Sequence, residues 1–216
     1  MFGTPVSRRS AGLSLLYLVG SLGMTFPVML LLSTVAPDFT ERMGRSLFFG
    51  TMALLCGAGG LLWGAHLARV ARSGHARGWA AGGALGYGLS APLATFGASE
   101  AETYLLNSAQ QGAHYPMHLA FALIFATVLL LVVGLTTLGV GVASGRGWRA
   151  LSLAGVGAAT AVACFLAVDL VFDLAGWRVG APRAEERSTM LVVLATSLLA
   201  ATAAAGAVVG RKLERA

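Results

Sequence analysis

The sequence predicts an all-α fold, a polytopic membrane protein built as a bundle of six transmembrane helices with both termini in the cytoplasm. Of the 216 residues, 56% are hydrophobic and 11% are charged, whereas soluble domains usually carry about 25% charged residues. The mean hydropathy is +0.76. The apolar residues also form long uninterrupted runs, and roughly 20 such residues suffice to cross a bilayer as a helix.

Six apolar segments follow one another along the chain, and together they make one transmembrane domain over residues 1–216. A backbone in lipid must satisfy its own hydrogen bonds, and these runs lack the alternation of barrel strands, so we expect helices. The first segment exceeds a signal-peptide core, and we expect it to be retained. We also expect a kink in it near Pro27. The expected spans are residues 11–36, 47–70, 79–98, 116–143, 150–172 and 189–209.

Arginine and lysine are distributed unequally between the two sides that these spans define. The positive-inside rule assigns the richer side to the cytoplasm. It therefore predicts a multi-pass protein of a cytoplasmic, inner-type cell membrane, with the N-terminus and the C-terminus inside. Ten basic residues fall on the predicted inner side: Arg8, Arg9, Arg69, Arg72, Arg77, Arg146, Arg149, Arg211, Lys212 and Arg215. Five fall on the outer side: Arg42, Arg45, Arg178, Arg183 and Arg187.

Glycine is abundant, with 29 residues, and much of it lies within the predicted helices. Small residues four apart let two helices approach closely in lipid. One interpretation is packing within the bundle. The other is a seam that faces another membrane subunit or a second copy, for which the alanine-rich sixth span is the best candidate. Membrane lipid is the remaining expected partner. The patterns are Gly60-x-x-x-Gly64, Gly82-x-x-x-Gly86 and Gly206-x-x-x-Gly210.

The longest polar interruption without a basic residue is Ser99–His118, at the predicted outer side. It carries Glu100 and Glu102, and we expect its residues 100–113 to form a short helix on the outer surface. Asp169 and Asp173 are four residues apart near the outer end of the fifth span, so they share a helix face. Ionisable groups within a span are functional candidates. These four acids are the candidate substrate or proton site; the alternative is that they only mark the water interface.

Two histidines of the same segment are candidate metal ligands. His114 and His118 flank the start of the fourth span, where the partial positive charge of a helix N-terminus favours neutral imidazole. Together with Asp173 they could hold a divalent metal such as zinc or copper. The H-x-x-x-H spacing is compatible with such a site but not specific to it, because interface histidines also cap helices. No cofactor is firmly implied.

Composition and spacing also exclude several classes of protein. The net charge is +6, but the arginines lie beside apolar spans, so we expect no nucleic-acid partner. Cys56 and Cys164 form no C-x-x-C pair, which excludes that type of redox or haem-attachment motif. The single lysine, Lys212, lies at the tail, so a Schiff-base lysine inside the bundle is excluded.

Three functions remain open, and the sequence identifies no catalytic residue for any of them. The first is an accessory or assembly subunit of a larger membrane complex. The short loops and the helix faces made of small residues favour this function. The second is a small-solute or proton-coupled transporter with an outward-facing acidic and histidine vestibule. One observation argues against a proton-coupled transporter. Coupling groups usually lie near the middle of the bundle, and the predicted helices carry no charged residue there. The third is a membrane enzyme that uses an outer metal site.

Reporter fusions test the predicted topology. Fusions after Gly74, Gly145 and Ala216 should report a cytoplasmic location, and a fusion at Gln110 should report the outside, because the basic residues concentrate at the first set of positions. An external signal at Gly145 contradicts the six-span arrangement.

Overall fold

A computed structural model of the protein describes residues 5–110, 117–145, 148–175 and 184–214, without the side chains at 109, 117, 118 and 184–191. Nearly all of these residues are helical, and no strand occurs in these ranges. A six-residue π-helical segment, Ser14–Val19, which we call the π turn, joins the first two helices. The helices are α1 (Pro5–Leu13), α2 (Gly20–Val35), α3 (Pro37–Val70), α4 (Ala76–Gln110), α5 (Met117–Ala143), α6 (Arg149–Leu174) and α7 (Ala184–Glu214).

The predicted all-α class is confirmed, with five to six long apolar helices that are compatible with a membrane bundle. α1, the π turn and α2 form one continuous helix, Pro5–Val35. This helix, α3, α5, α6 and the Val192–Glu214 part of α7 are each long and apolar enough to cross a membrane. α4 has 35 residues, but glycines, serines and Pro92 interrupt its apolar residues, and no membrane-length stretch of it is as apolar as in these helices.

The helices form a ring in which each one packs beside its neighbour in sequence. α3 packs against α4, α4 against α5, α5 against α6, and α6 against α7, while α1 returns to α7 and α2 lies on α3. Short connections make these neighbours antiparallel. The bundle therefore has a terminal end, which carries Pro5, Val70, Ala76, Ala143, Arg149 and Glu214, and a far end, which carries Val35, Pro37, Gln110, Met117, Leu174 and Ala184.

Glycines set the spacing between the packed helices. A Cβ at Gly60 would overlap the carbonyl group of Gly83, and one at Gly82 would overlap the carbonyl group of Gly139. A Cβ at Gly206 would collide with the Ser14 side chain. The packing interpretation is confirmed for all three glycine patterns, because they face α4, α5 and the first helix. A partner that uses small-residue faces would have to use outward ones instead, and such a partner stays a prediction.

Three local features differ from the expectations. Pro27 lies inside α2, and the departure from α-helical geometry comes earlier, at the π turn. α3 bends at Gly44, whose φ of +29° lies in the region that favours glycine. The polar segment after Ala98 is helical up to Gln110, but it continues α4 directly and does not form the separate surface helix that we expected.

Adding one methyl group at a glycine tests the close packing of the helices. Gly60→Ala should destabilise the protein by about 1–3 kcal/mol, because the α3 and α4 backbones must move apart to admit the Cβ. Gly155→Ala is the matched control, since no atom lies within 4 Å of its Cβ position. Thermal unfolding in detergent measures both variants, and equal melting temperatures would contradict the close contact.

Candidate functional site

The four candidate acids lie on two helices, with Glu100 and Glu102 on α4 and Asp169 and Asp173 on α6. The Arg45 guanidinium donates a hydrogen bond to the Glu100 carboxylate at 2.7 Å in an ion pair. The same guanidinium lies 5.5 Å from the centre of the Phe96 ring. Glu100 is thus engaged with α3. The Arg45 and Glu100 side chains are 65% and 49% exposed, so the pair contributes little to stability in water.

The other predicted site residues lie on different parts of the ring. Glu102 is exposed on α4, whereas Asp169 and Asp173 are half-buried on α6. In the ring, α5 packs between these two helices. His114 lies outside the described residues, and His118 is described only as part of α5. The predicted proton or substrate site therefore remains a prediction, with Glu100 paired to Arg45.

The proposed metal ligands His114, His118 and Asp173 also remain a prediction. Within the ranges that the structure describes, no group of three or more His, Cys, Asp or Glu side chains is arranged to hold a metal ion. Both histidine side chains fall outside those ranges. The described residues therefore do not identify the ligands of a metal site at the far end.

A different site lies at the centre of the ring. It is an elongated cavity of about 200 Å³. The first helix, α3, α4, α5 and α7 all contribute to its wall. Most of the lining is aliphatic or aromatic, as at Leu22, Phe125 and Leu198, and no acidic or basic side chain is among the lining residues. Its polar members are Ser14, Trp63, Tyr87, Thr95, Thr136, Thr137 and Thr202.

The π turn forms one wall of this cavity. A π turn contains one more residue than an α-helical turn, and such turns occur frequently at functional sites. Here it contributes Ser14, Leu18 and Val19 to the lining. The Tyr87 hydroxyl of α4 donates to the Leu18 carbonyl oxygen at 2.6 Å. This hydrogen bond crosses the ring and holds the π turn against α4.

On the opposite side of the ring, serines connect the first helix to its neighbours α3 and α7. The Trp63 indole N–H donates to the Ser14 hydroxyl oxygen at 3.0 Å, and the Ser14 hydroxyl donates to the Ser10 carbonyl oxygen at 2.9 Å. The Ser10 hydroxyl donates to the Gly206 carbonyl oxygen at 2.6 Å. These groups are buried. The first helix is thus tied to α7 on one side and to α3 on the other.

Three of the four threonines in the wall, Thr136, Thr137 and Thr202, donate their protons to their own helices. The Thr136 hydroxyl donates to Val132 and the Thr137 hydroxyl to Val133, both at 2.6 Å. A hydroxyl that donates once still has lone pairs that accept. The cavity therefore offers apolar walls and neutral hydrogen-bond acceptors, but neither fixed charge nor a free hydroxyl proton at these positions.

The ionisable residues of the sequence do not point to this site, because its lining carries neutral side chains. A usable signal existed in the first helix, where Ser7, Ser10, Ser14, Ser21 and Thr25 recur every three to seven residues on one face. Ser7, Ser10, Ser14 and Thr25 are all buried. A polar stripe of this kind inside an apolar span indicates a face turned toward protein.

The chain matches no family model, no curated protein and no solved structure.

A conservative substitution tests the contact between α4 and the π turn. Tyr87→Phe should lower the free energy of unfolding by about 1 kcal/mol, because the Leu18 carbonyl oxygen loses the hydrogen bond from α4 and keeps the one from the Ser21 hydroxyl of its own helix. Tyr104→Phe is the control, since that side chain is 68% exposed. Equal thermal stability of the two variants would show that the hydrogen bond contributes nothing.

Proposed function

We propose that this integral membrane protein binds a small, neutral and largely apolar molecule in the cavity at the centre of its helix ring. It acts as a binding protein or a carrier for that molecule. The observation that carries the proposal is a cavity surrounded by helices and lined without any acidic or basic side chain. The proposal takes up the transporter hypothesis, with the solute site moved from the outer vestibule to the bundle centre.

The size of the cavity limits what it can hold. A cavity of about 150 Å³ in a protein core binds benzene. At about 200 Å³, the cavity accommodates one ring with a short substituent, or an equivalent stretch of chain. A larger ligand would have to extend beyond the enclosed volume.

The lining also limits the charge of the ligand. Placing an ionised group in the middle of a membrane helix costs about 2.5–3.5 kcal/mol even on scales that allow relaxation. The cavity offers no counter-ion to offset that cost, and the hydroxyl protons of Thr136 and Thr137 are already donated to backbone carbonyls. A neutral ligand avoids it.

The acids at the far end take a secondary role in this proposal. We keep Asp169, Asp173, Glu100 and Glu102 as the residues that meet substrate or protons outside the cavity. α6 contributes no lining residue, so Asp169 and Asp173 do not line the proposed binding site. A ligand in the cavity therefore contacts neither aspartate.

The basic residues favour an orientation with both termini in the cytoplasm. In that orientation the far end of the bundle faces the outside of a cytoplasmic membrane. The proposed ligand then reaches the cavity from the outer half of the bilayer.

A second candidate, the accessory subunit, draws on one observation about α2. Phe26, Leu30 and Val35 are 65%, 68% and 74% exposed, and α2 packs mainly on α3. A partner helix could cover this face, although lipid covers apolar residues equally well. Purification of the protein from a native membrane tests this role. A partner that co-purifies in a stoichiometric amount and is lost from the Leu30→Glu variant supports the subunit role. Purification of the protein without a partner contradicts it.

Filling the cavity tests the binding proposal. Ala91 lines it and is 3% exposed, so Ala91→Leu should place its extra carbons in the space of the ligand. Organic extracts of the purified wild-type protein should contain a stoichiometric neutral compound that this variant lacks. Ala163→Leu, at an exposed position on α6, should retain the compound. Identical extracts from all three proteins, each correctly folded, contradict the proposal.

A further inference from the structure

The ring is closed firmly at its terminal end but not along its whole length. α1 packs against α7, and the π turn also touches α7. Beyond the π turn the helix turns to α3, and the contact between α2 and α7 is at most marginal among the described residues. Yet both helices line the cavity, through Leu22 on α2 and through Leu198 and Thr202 on α7. A gap between α2 and α7 therefore leads into the cavity.

The burial of the lining residues agrees with such a gap. At the terminal end of the cavity Trp63 and Thr136 are each 1% exposed. Leu22, Phe125 and Leu198, which lie nearer the far end, are all only half-buried. The cavity is thus closed at one end and open toward the other.

Both α2 and α7 expose large apolar side chains. On α2, Phe26 and Leu30 are exposed, and on α7 Leu199 is exposed as well. In a membrane, residues of this kind contact lipid chains and not water. A molecule that passes between α2 and α7 therefore comes from the hydrocarbon layer.

The cavity is long and narrow, which suits a hydrocarbon chain. Along α5 the lining extends from Phe125 to Thr137, which corresponds to ~18 Å at the helical rise. A volume of about 200 Å³ distributed over that length leaves room for one narrow molecule. A compact polycyclic ligand would need a wider space.

The hydrogen-bonding groups at the closed end of the cavity determine which ligand head group can bind there. The protons of Tyr87, Thr136 and Thr137 are already donated to backbone carbonyls. Their oxygens keep lone pairs that can accept. A ligand hydroxyl can donate to one of these oxygens, whereas an anion meets acceptors only and a cation meets no anionic side chain.

Resting on the proposed binding function, we infer that the cavity takes a neutral long-chain alcohol from the membrane through the gap between α2 and α7. Its hydroxyl enters first and donates to the oxygens at the closed end. The first part of its chain lies in the cavity, and the remainder extends through the gap into lipid.

Four photoreactive probes test the ligand class on the full chain in phosphatidylcholine nanodiscs. All carry the same dodecyl chain and diazirine, and they end in a hydroxyl, a methyl, a sulfonate or a trimethylammonium group. The alcohol should label peptides that contain Tyr87 and Thr137, and excess dodecanol should suppress the labelling. The alkane should bind about tenfold more weakly for one lost hydrogen bond. The two ions should bind roughly a hundredfold more weakly.

Two sets of variants test the contacts. Leu22→Trp and Leu198→Trp narrow the gap and should reduce labelling of the closed end by about tenfold. Leu30→Trp is the control, because this side chain is 68% exposed and does not line the cavity. Thr137→Val should reduce the preference for the alcohol over the alkane, and Thr137→Ser should restore it.

The outcomes separate this inference from the proposed function. If no probe labels the cavity and Ala91→Leu releases no compound, the binding function itself is wrong. If Ala91→Leu releases a compound but all four head groups label the cavity equally, the alcohol is the wrong ligand class. If the alcohol labels the cavity and both tryptophan variants leave that labelling unchanged, the lateral route is wrong.

Discussion

The close approach of helix backbones at glycine is the contact on which the ring depends. Lipid offers no hydrophobic gain for bringing two apolar helices together, so packing and hydrogen bonding must do it. Gly60 meets Gly83 between α3 and α4, and Gly82 meets Gly139 between α4 and α5. Gly206 admits the serines of the first helix in the same way. The small residues lie between neighbouring helices, and larger side chains surround a centre that they do not fill.

The π turn connects this packing to the opening of the cavity. Before it, Ser10 holds the first helix on α7 through a hydrogen bond to the Gly206 carbonyl oxygen. At it, Tyr87 holds the helix on α4. After it, α2 follows α3 and moves away from α7. The change of neighbour at this irregularity accompanies the closure of the cavity at the terminal end and its opening beside α2.

Hydropathy predicted the helices far better than their arrangement. α3 ends at Val70 and α5 ends at Ala143, where the expected spans end, because arginines and loop residues stop the apolar runs there. The glycine patterns indicated small faces but not which helix each one meets, since that depends on the whole ring. The π turn left no clear sequence signal, and the bend at Gly44 uses a backbone conformation that glycine permits, although not every glycine in these helices bends its helix. Ionisable residues are the usual sequence signal of a site within a membrane span, whereas the cavity is lined by neutral hydroxyls.

The acceptor character of the cavity follows from the membrane itself. A hydroxyl without a partner is costly in hydrocarbon, so threonine and serine in a membrane helix donate to a carbonyl of the preceding turn. Thr136, Thr137 and Thr202 all do so. Each proton is then bound within its own helix, and only lone pairs remain for a ligand. A cavity built from such residues can distinguish a donor from an acceptor without any charge, and its selectivity depends on the same hydrogen bonds that satisfy these hydroxyls in lipid.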